Sequence, residues 1–205
     1  MQPFIGTNDL SDLLGTDVTT DDLATIAIDS ACEIVRGYID NQINLVEDDI
    51  ITLDGSGTYR LALPRPPVRS VLLIASEDED TLAETTDWVL ESIRTGMVRR
   101  IDRYWPRGFG NITVTYSHGW WIEEPDDPEY EPEGFERVPS DIRRVALEVS
   151  KRMFQFAAVP AGVNSQQIGN YSYTLTGSGE TAQGFTGLMP LEATVLDRYL
   201  APALA

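Results

Sequence analysis

Asn111-Ile112-Thr113-Val114-Thr115-Tyr116-Ser117-His118-Gly119-Trp120-Trp121, resumed after an acidic loop by Val138-Pro139-Ser140-Asp141-Ile142, is the stretch that decides the fold. Residues 111–116 alternate apolar and polar side chains and are rich in β-branched types, the pattern of a strand with one buried face. From Ser140 the spacing becomes helical. Ile142, Val145, Val149, Met153 and Phe156 fall along one stripe of a helix over 140–157. Ser140 is placed to cap its first free N–H groups, Asp141 sits at the positive end of its dipole, and Pro139 fixes the approach. Strand, Ser-His-Gly-Trp-Trp turn, acidic loop and long helix form the frame for the rest.

Upstream, residues 8–14 read as a short helix with Asn8 or Thr7 as cap and Gly15 as terminator. A longer helix spans 20–39, with Asp21 and Asp22 at its acidic start. Its expected apolar face is Leu23, Ile26, Ala27, Ala31, Ile34, Val35 and Tyr38. The middle is β-like. Ile50–Leu53 and Tyr59–Leu63 flank Asp54-Gly55-Ser56-Gly57 as an expected hairpin, and Pro64-Arg65-Pro66-Pro67 interrupts any ladder. Val68–Ala75 is a further strand, ending at the acidic Glu77-Asp78-Glu79-Asp80. Trp88–Leu90 and Met97–Arg100 form a second hairpin about Thr95-Gly96. Downstream, residues 161–187 are glycine-rich with one β-like island at Ile168–Leu175. A short helix then opens at Pro190, carrying Leu191, Val195, Leu196, Tyr199 and Leu200. The expectation is an α+β fold: amphipathic helices 8–14, 20–39 and 140–157 as a framework, a small antiparallel sheet inserted over 50–116, and an extended C-terminal arm. The body is 1–160 and the arm 161–205.

A chain of 205 residues with 42% hydrophobic content has enough apolar mass for a substantial core. No apolar run approaches the ~20 residues that span a bilayer, and Met1–Gly6 lacks the basic and apolar regions of a secretory signal. A soluble protein made in a cytoplasm, without a membrane partner, is expected. With 33 acidic against 15 basic residues, the net charge of −18 argues against gripping nucleic acid through its phosphates. It is compatible with a wall past which DNA slides. Eight of the acids lie between Glu123 and Glu136, among them Glu123, Glu124, Asp126, Asp127, Glu129, Glu131 and Glu133, with Pro125, Pro128 and Pro132 interspersed. The plain reading is a solvated, mobile loop; the sharper one is a channel wall or partner surface.

The residues that carry chemistry do not assemble into a site. One cysteine and one histidine exclude a Cys/His zinc centre within the chain, and Cys32, inside a helical pattern, reads as a buried thiol. His118 is the sole imidazole, but no nucleophile or orienting carboxylate is identified for it, and His118-Gly119 reads as turn chemistry. Glu77–Asp80 lack the spacing and glycine of a calcium loop. Gly55-Ser56-Gly57 and Gly177-Ser178-Gly179 lack the Lys-Ser/Thr of a phosphate cradle. Trp120-Trp121 fits core or interface packing better than a sugar or base platform. No catalytic residue, cofactor or metal is expected.

The order of elements resembles the head–tail adaptor (head completion, or connector) proteins of long-tailed bacteriophages. The matching pieces are Asp9-Leu10, Leu13-Leu14-Gly15, Ala27, Ala31, Val35-Arg36-Gly37-Tyr38, Leu63-Pro64, Pro67-Val68, Val71 and Trp105-Pro106. They continue with Val114–Trp120, Val138–Arg143, Ile168–Tyr173 and the terminal Leu-rich helix. No piece is specific alone; their order and spacing carry the resemblance, and the acidic insertion between Trp121 and Val138 departs from it. The resemblance implies a non-enzymatic virion protein at the head–tail junction, a homo-oligomeric ring, usually a 12-mer, beneath the portal protein. Such a ring extends the DNA channel, which passes DNA without sequence-specific binding, and receives a stopper or tail-tube-side protein. It also implies a portal-docking arm, here Ile168, Tyr171, Tyr173 and Leu175 with Leu191, Leu196, Tyr199 and Leu200. The alternatives are a head-closure stopper or tail-terminator ring, and from another class a small hydrolase or carbohydrate-binding module using His118, Trp120 and Trp121.

Overall fold

Strand β7 (Gly108–His118) is the centre of the computed structural model, which describes residues 2–76, 79–122, 136–157, 165–168, 171–174 and 187–200. Ile112, Val114 and Tyr116, alternating along β7, are fully buried, and Asn111, Thr115 and Ser117 on the other face are buried too, so the strand expected to have one buried face is largely covered on both. On one side β7 pairs antiparallel with β1 (Val46–Gly55), Leu53 opposite Ile112 and Ile51 opposite Val114. On its other side it pairs with β3 (Val68–Ser76), which in turn pairs with β4 (Glu79–Leu82), giving the order β1-β7-β3-β4. A second sheet has the order β2-β6-β5, from β2 (Arg60–Ala62), β6 (Met97–Arg100) and β5 (Trp88–Ser92). Leu61, Leu63, Trp88, Val98 and Trp105 join Val68, Ile74, Ile112, Val114 and Tyr116 in one core. Each such side chain contributes about 1.5–3 kcal/mol by leaving water.

The β5–β6 hairpin forms about Thr95-Gly96 as its sequence predicts. The hairpin expected over Ile50–Leu63 does not. β1 and β2 enter different sheets, because Leu61 pairs with Val98 and is buried beside it rather than beside Ile51. Gly55, assigned to a turn, ends β1. A Cβ there would lie 1.6 Å from the Pro106 carbonyl oxygen, so the close approach of the 106 backbone excludes any side chain. Pro64-Arg65-Pro66-Pro67 is irregular, with a cis peptide before Pro67.

The chain divides into two units: residues 1–38 with 139–198, and residues 39–138 with 199–205. In the first, α1 (Thr7–Leu14) and α4 (Pro190–Leu196) pack on α3 (Ser140–Ala157), and α2 (Asp22–Ile39) supplies a second long helix. Gly6 caps α1, its N–H bonded to Asp9 Oδ2 at 2.9 Å, and Gly15 closes it in the left-handed conformation. Asp21 caps α2 through the N–H of Leu23 at 2.8 Å. Neither Thr7 nor Asn8 is the cap expected for α1, since both lie inside the helix, and further helical expectations need correcting. Ser140 does not cap α3: its hydroxyl is directed to Asp141, and the helix starts on the Pro139 carbonyl, which accepts from Arg143 N–H. The buried face of α2 is Ala24, Ala27, Ile28, Ala31, Cys32, Val35 and Ile39, while Leu23 and Ile26 are 44% and 59% exposed. On α3, Ile142, Val145 and Val149 are buried with Ala146 and Ser150, but Phe156 is exposed. The island at Ile168–Leu175 is a two-stranded hairpin as far as it is described, β8 (Ser165–Ile168) against β9 (Tyr171–Thr174), with Ile168 opposite Tyr171. A single 3-10 turn, Asp197–Tyr199, follows α4, so the terminal helix is shorter than its apolar stripe suggested.

Candidate assembly surfaces

Where the sequence offered its few reactive side chains, the structure shows supports for the backbone. β7 carries His118 to a fully buried position, its Nε2 3.2 Å from Asp49 Oδ2. Asp49 also receives Arg65 at 3.1 Å. Burial pushes the imidazole below its ordinary value, outweighing the hydrogen bond and charge of Asp49, which favour protonation. Tyr116, two residues back on the same face, stacks 5.0 Å from His118 and donates to the Pro64 carbonyl at 2.8 Å. Burial and the Asp49 charge raise its phenol well above the usual range. Asp48 N–H donates to Ser117 Oγ at 3.2 Å, at a β1 irregularity where Asp48 has φ +51. These groups hold one strand end in register, Ser117 Oγ accepting from the Asp48 backbone.

The tryptophans are equally internal. Trp120 and Trp121 are 6% and 5% exposed. Trp120 exchanges backbone hydrogen bonds with Ile43 and Leu45 and meets the Tyr199 ring edge-on at 5.9 Å. Trp121 exchanges them with Glu136 and Val138 and lies under the Arg137 guanidinium at 5.0 Å. A sugar platform needs an exposed ring face, and neither ring presents one. Cys32 is buried, which raises its thiol and leaves it a core residue.

The arm residues fall on both sides of the surface. Leu191 is 74% exposed and Leu200 44%, whereas Leu196 is fully buried and Tyr199 is partly covered. Ile168, Tyr171 and Tyr173 belong to the β8–β9 hairpin, and Leu175 lies outside the described residues. Glu123, Glu124, Asp126, Asp127, Glu129, Glu131 and Glu133 also lie outside them. α4 itself is held by a fork: Arg152 on α3 meets both carboxylate oxygens of Glu192 at 2.7 and 2.8 Å and donates to the Gly187 carbonyl at 2.9 Å. Burial works to raise the Glu192 carboxyl, but Arg152 and the Met189 N–H outweigh it, and the net shift is downward.

Sequence reasoning missed one surface. Tyr59 and Tyr104 stack with ring centroids 4.2 Å apart beside a cleft of about 570 Å³ lined by Thr58, Arg60, Arg99, Arg100 and Asp102. Phe109 on β7, two residues past Arg107, whose stem lies along Gly57, is 94% exposed. The available signal was the five arginines between Arg94 and Arg107 in a chain with only 15 basic residues. Among the described residues no group of three or more His, Cys, Asp or Glu is placed to hold a metal, and no helix is long and apolar enough to cross a membrane.

The α+β fold just described is one found in particle necks. A chain from the neck of a native gene transfer agent (GTA) particle, computed with C12 symmetry, matches with TM-score 0.54 at 11% identity over 97% of this chain and 90% of that chain. One from the neck of the empty particle, computed with C6 symmetry, matches with 0.54 at 12% identity over 98% and 91%. A chain from the virion of the native particle gives 0.53 at 14% identity over 98% and 91%. At such identities the likeness is one of fold. No family model matches this chain, and no curated protein matches it in sequence.

Proposed function

We propose that this protein is a structural subunit of a virion neck, an adaptor that forms a twelve-fold ring between portal and tail and extends the DNA channel. The observation that carries the reading is the fold shared, over nearly the full length of both chains, with a neck chain computed in C12 symmetry. Exposed apolar side chains that a monomer has no use for support it: Leu23 and Ile26 on α2, Ile50 on β1 and Leu72 on β3. The subunits pack side by side through such faces. The acidic residues 123–136 face the channel or solvent, where their charge lets DNA pass without sticking. The segment from Ile168 to Leu175, with Leu191, Tyr199 and Leu200 after α4, docks on the portal, Leu196 anchoring the helix from inside. A stopper or tail-tube-side protein binds the opposite rim. The two 18-residue helices α2 and α3 count against a β-barrel-like stopper or tail terminator. Buried His118, Trp120 and Trp121 count against a hydrolase or carbohydrate-binding module.

Electron microscopy of the protein mixed with its portal ring tests the reading. A twelve-fold collar at one end of the portal is expected, and truncation after Ala161 should abolish it. Bare portals at every salt concentration would remove the portal as partner.

A further inference from the structure

We infer that the surface formed by Tyr59, Arg60, Arg99, Tyr104, Arg107 and Phe109 is a subunit interface that receives the acidic segment 123–136 of a second copy of this chain. The inference rests on the ring reading above. Arg94 to Arg107 holds five arginines and one acid in a chain of net charge −18; Arg100 is buried against Trp105, and Arg60, Arg99 and Arg107 are the cations this surface presents. Arg60 and Arg99 share one carboxylate, Glu91, at 2.9 and 2.8 Å, which leaves the trio with a positive excess. The stem of Arg107 lies along Gly57, and its guanidinium makes no ion pair among the described residues. The aromatic component is independent of the charge: Tyr104, stacked on Tyr59, is 60% exposed, and Phe109, two residues past Arg107, is 94% exposed. Arginine and tyrosine together are the usual anchors of protein interfaces.

The occupant must be acidic and carry apolar groups. Segment 123–136 has eight carboxylates, no base, and the rings of Tyr130 and Phe135; Glu136 is paired with Arg69 of its own chain at 3.1 Å, which leaves the seven of 123–133 for the second copy. Its residues 123–135 lie outside the described residues. Duplex DNA would satisfy the arginines, but its stacked bases offer nothing to Phe109 or the tyrosines. A ring built from head-to-tail contacts needs two different, complementary patches on each subunit, and these two are opposite in charge.

The test uses the full-length chain with the seven acids of 123–133 replaced by Gln and Asn, Glu136 being kept for Arg69, so that its own segment does not compete. The probe is a fluorescein-labelled peptide of residues 122–136. Saturable binding is expected, weakening about ten-fold from 50 to 300 mM salt. Phe109→Ser, too exposed to disturb folding, and the pair Arg60→Glu with Arg99→Glu should each weaken it at least about five-fold. Equal binding of a scrambled peptide, indifference to both variants, or tighter binding of a 24-base-pair duplex would each overturn the assignment. A second arm mixes the arginine-reversed chain, whose acidic segment is intact, with the acid-neutralised chain, whose surface is intact. Association only in the mixture is expected; its failure, beside good peptide binding, would place the segment on its own copy and end the proposal. A normal collar on the portal built from Phe109→Ser and arginine-reversed chains overturns this interface alone, whereas peptide binding without any collar overturns the ring reading alone.

Discussion

At Gly119 two constraints coincide. Its φ is +90, a region that side chains rarely adopt, and a Cβ would sit 2.4 Å from the Asn44 carbonyl oxygen. Its N–H bonds to Pro67 O at 3.0 Å, so the residue ties the end of β7 to the segment preceding β3. Gly119→Ala is expected to cost about 2–3 kcal/mol, read as a lowered urea midpoint; an unchanged midpoint would refute the packing described. His118, one residue earlier, makes stability depend on pH. Its folded value lies below the unfolded one near 6.5, so the unfolded chain binds the proton more readily. The contribution is therefore complete above the unfolded value and lost as pH falls towards the folded one. His118→Gln keeps an amide for Asp49 but does not titrate. Its urea midpoint should drop less between pH 7 and pH 5 than that of the unmodified chain, and equal drops would show that another group controls the acid limb.

Helix α4 is held at its start by one pair and at its end by buried Leu196. Arg152 and Glu192 are 19% and 14% exposed, and removing one partner leaves the other charge half-buried. Arg152→Leu should free α4 and raise hydrogen exchange over 188–196 at least about ten-fold, a local opening of roughly 1.4 kcal/mol or more, while exchange in α2 stays unchanged. Because the Glu192 carboxyl is held low, the same opening should appear in the unmodified chain only as the pH falls through that lowered value. Elements differ in how legible they were. α3 was readable because Ile142, Val145 and Val149 are large, regularly spaced and buried. α2 was rotated in the reading because its core face is largely small, with Ala24, Ala27, Ala31 and Cys32, while the bulkier Leu23 and Ile26 point outward. The Ile50–Leu63 hairpin failed because a glycine-rich junction between alternating runs is a local signal. Burial of Leu61 against β6 is a tertiary fact that local pattern does not contain. The Tyr59–Tyr104 surface went unread for the same reason, since two separate segments build it.

For the whole molecule, charge and exposed apolar surface oppose one another. In the proposed ring, twelve copies at −18 would carry about −216, which repels strongly at low salt. The isolated protein should therefore sediment mainly as a monomer, and a stable dodecamer at low ionic strength would contradict this. Leu23→Ser with Ile26→Ser should leave monomer stability within about 0.5 kcal/mol yet reduce collar formation on the portal; a large loss of stability would instead make these residues part of the monomer core. The order in which the chain contributes to its two units has a further consequence, in time rather than in space. Both core sheets lie within the continuous segment 39–138, whereas the helical unit joins residues 1–38 to 139–198. On the ribosome the sheets can close as soon as β7 emerges. α1 must wait for α3, synthesised more than a hundred residues later, with its apolar side uncovered meanwhile. Synthesis halted near residue 138 would leave a folded middle and an unfinished beginning, so the early helices are the part of the nascent protein most in need of a chaperone.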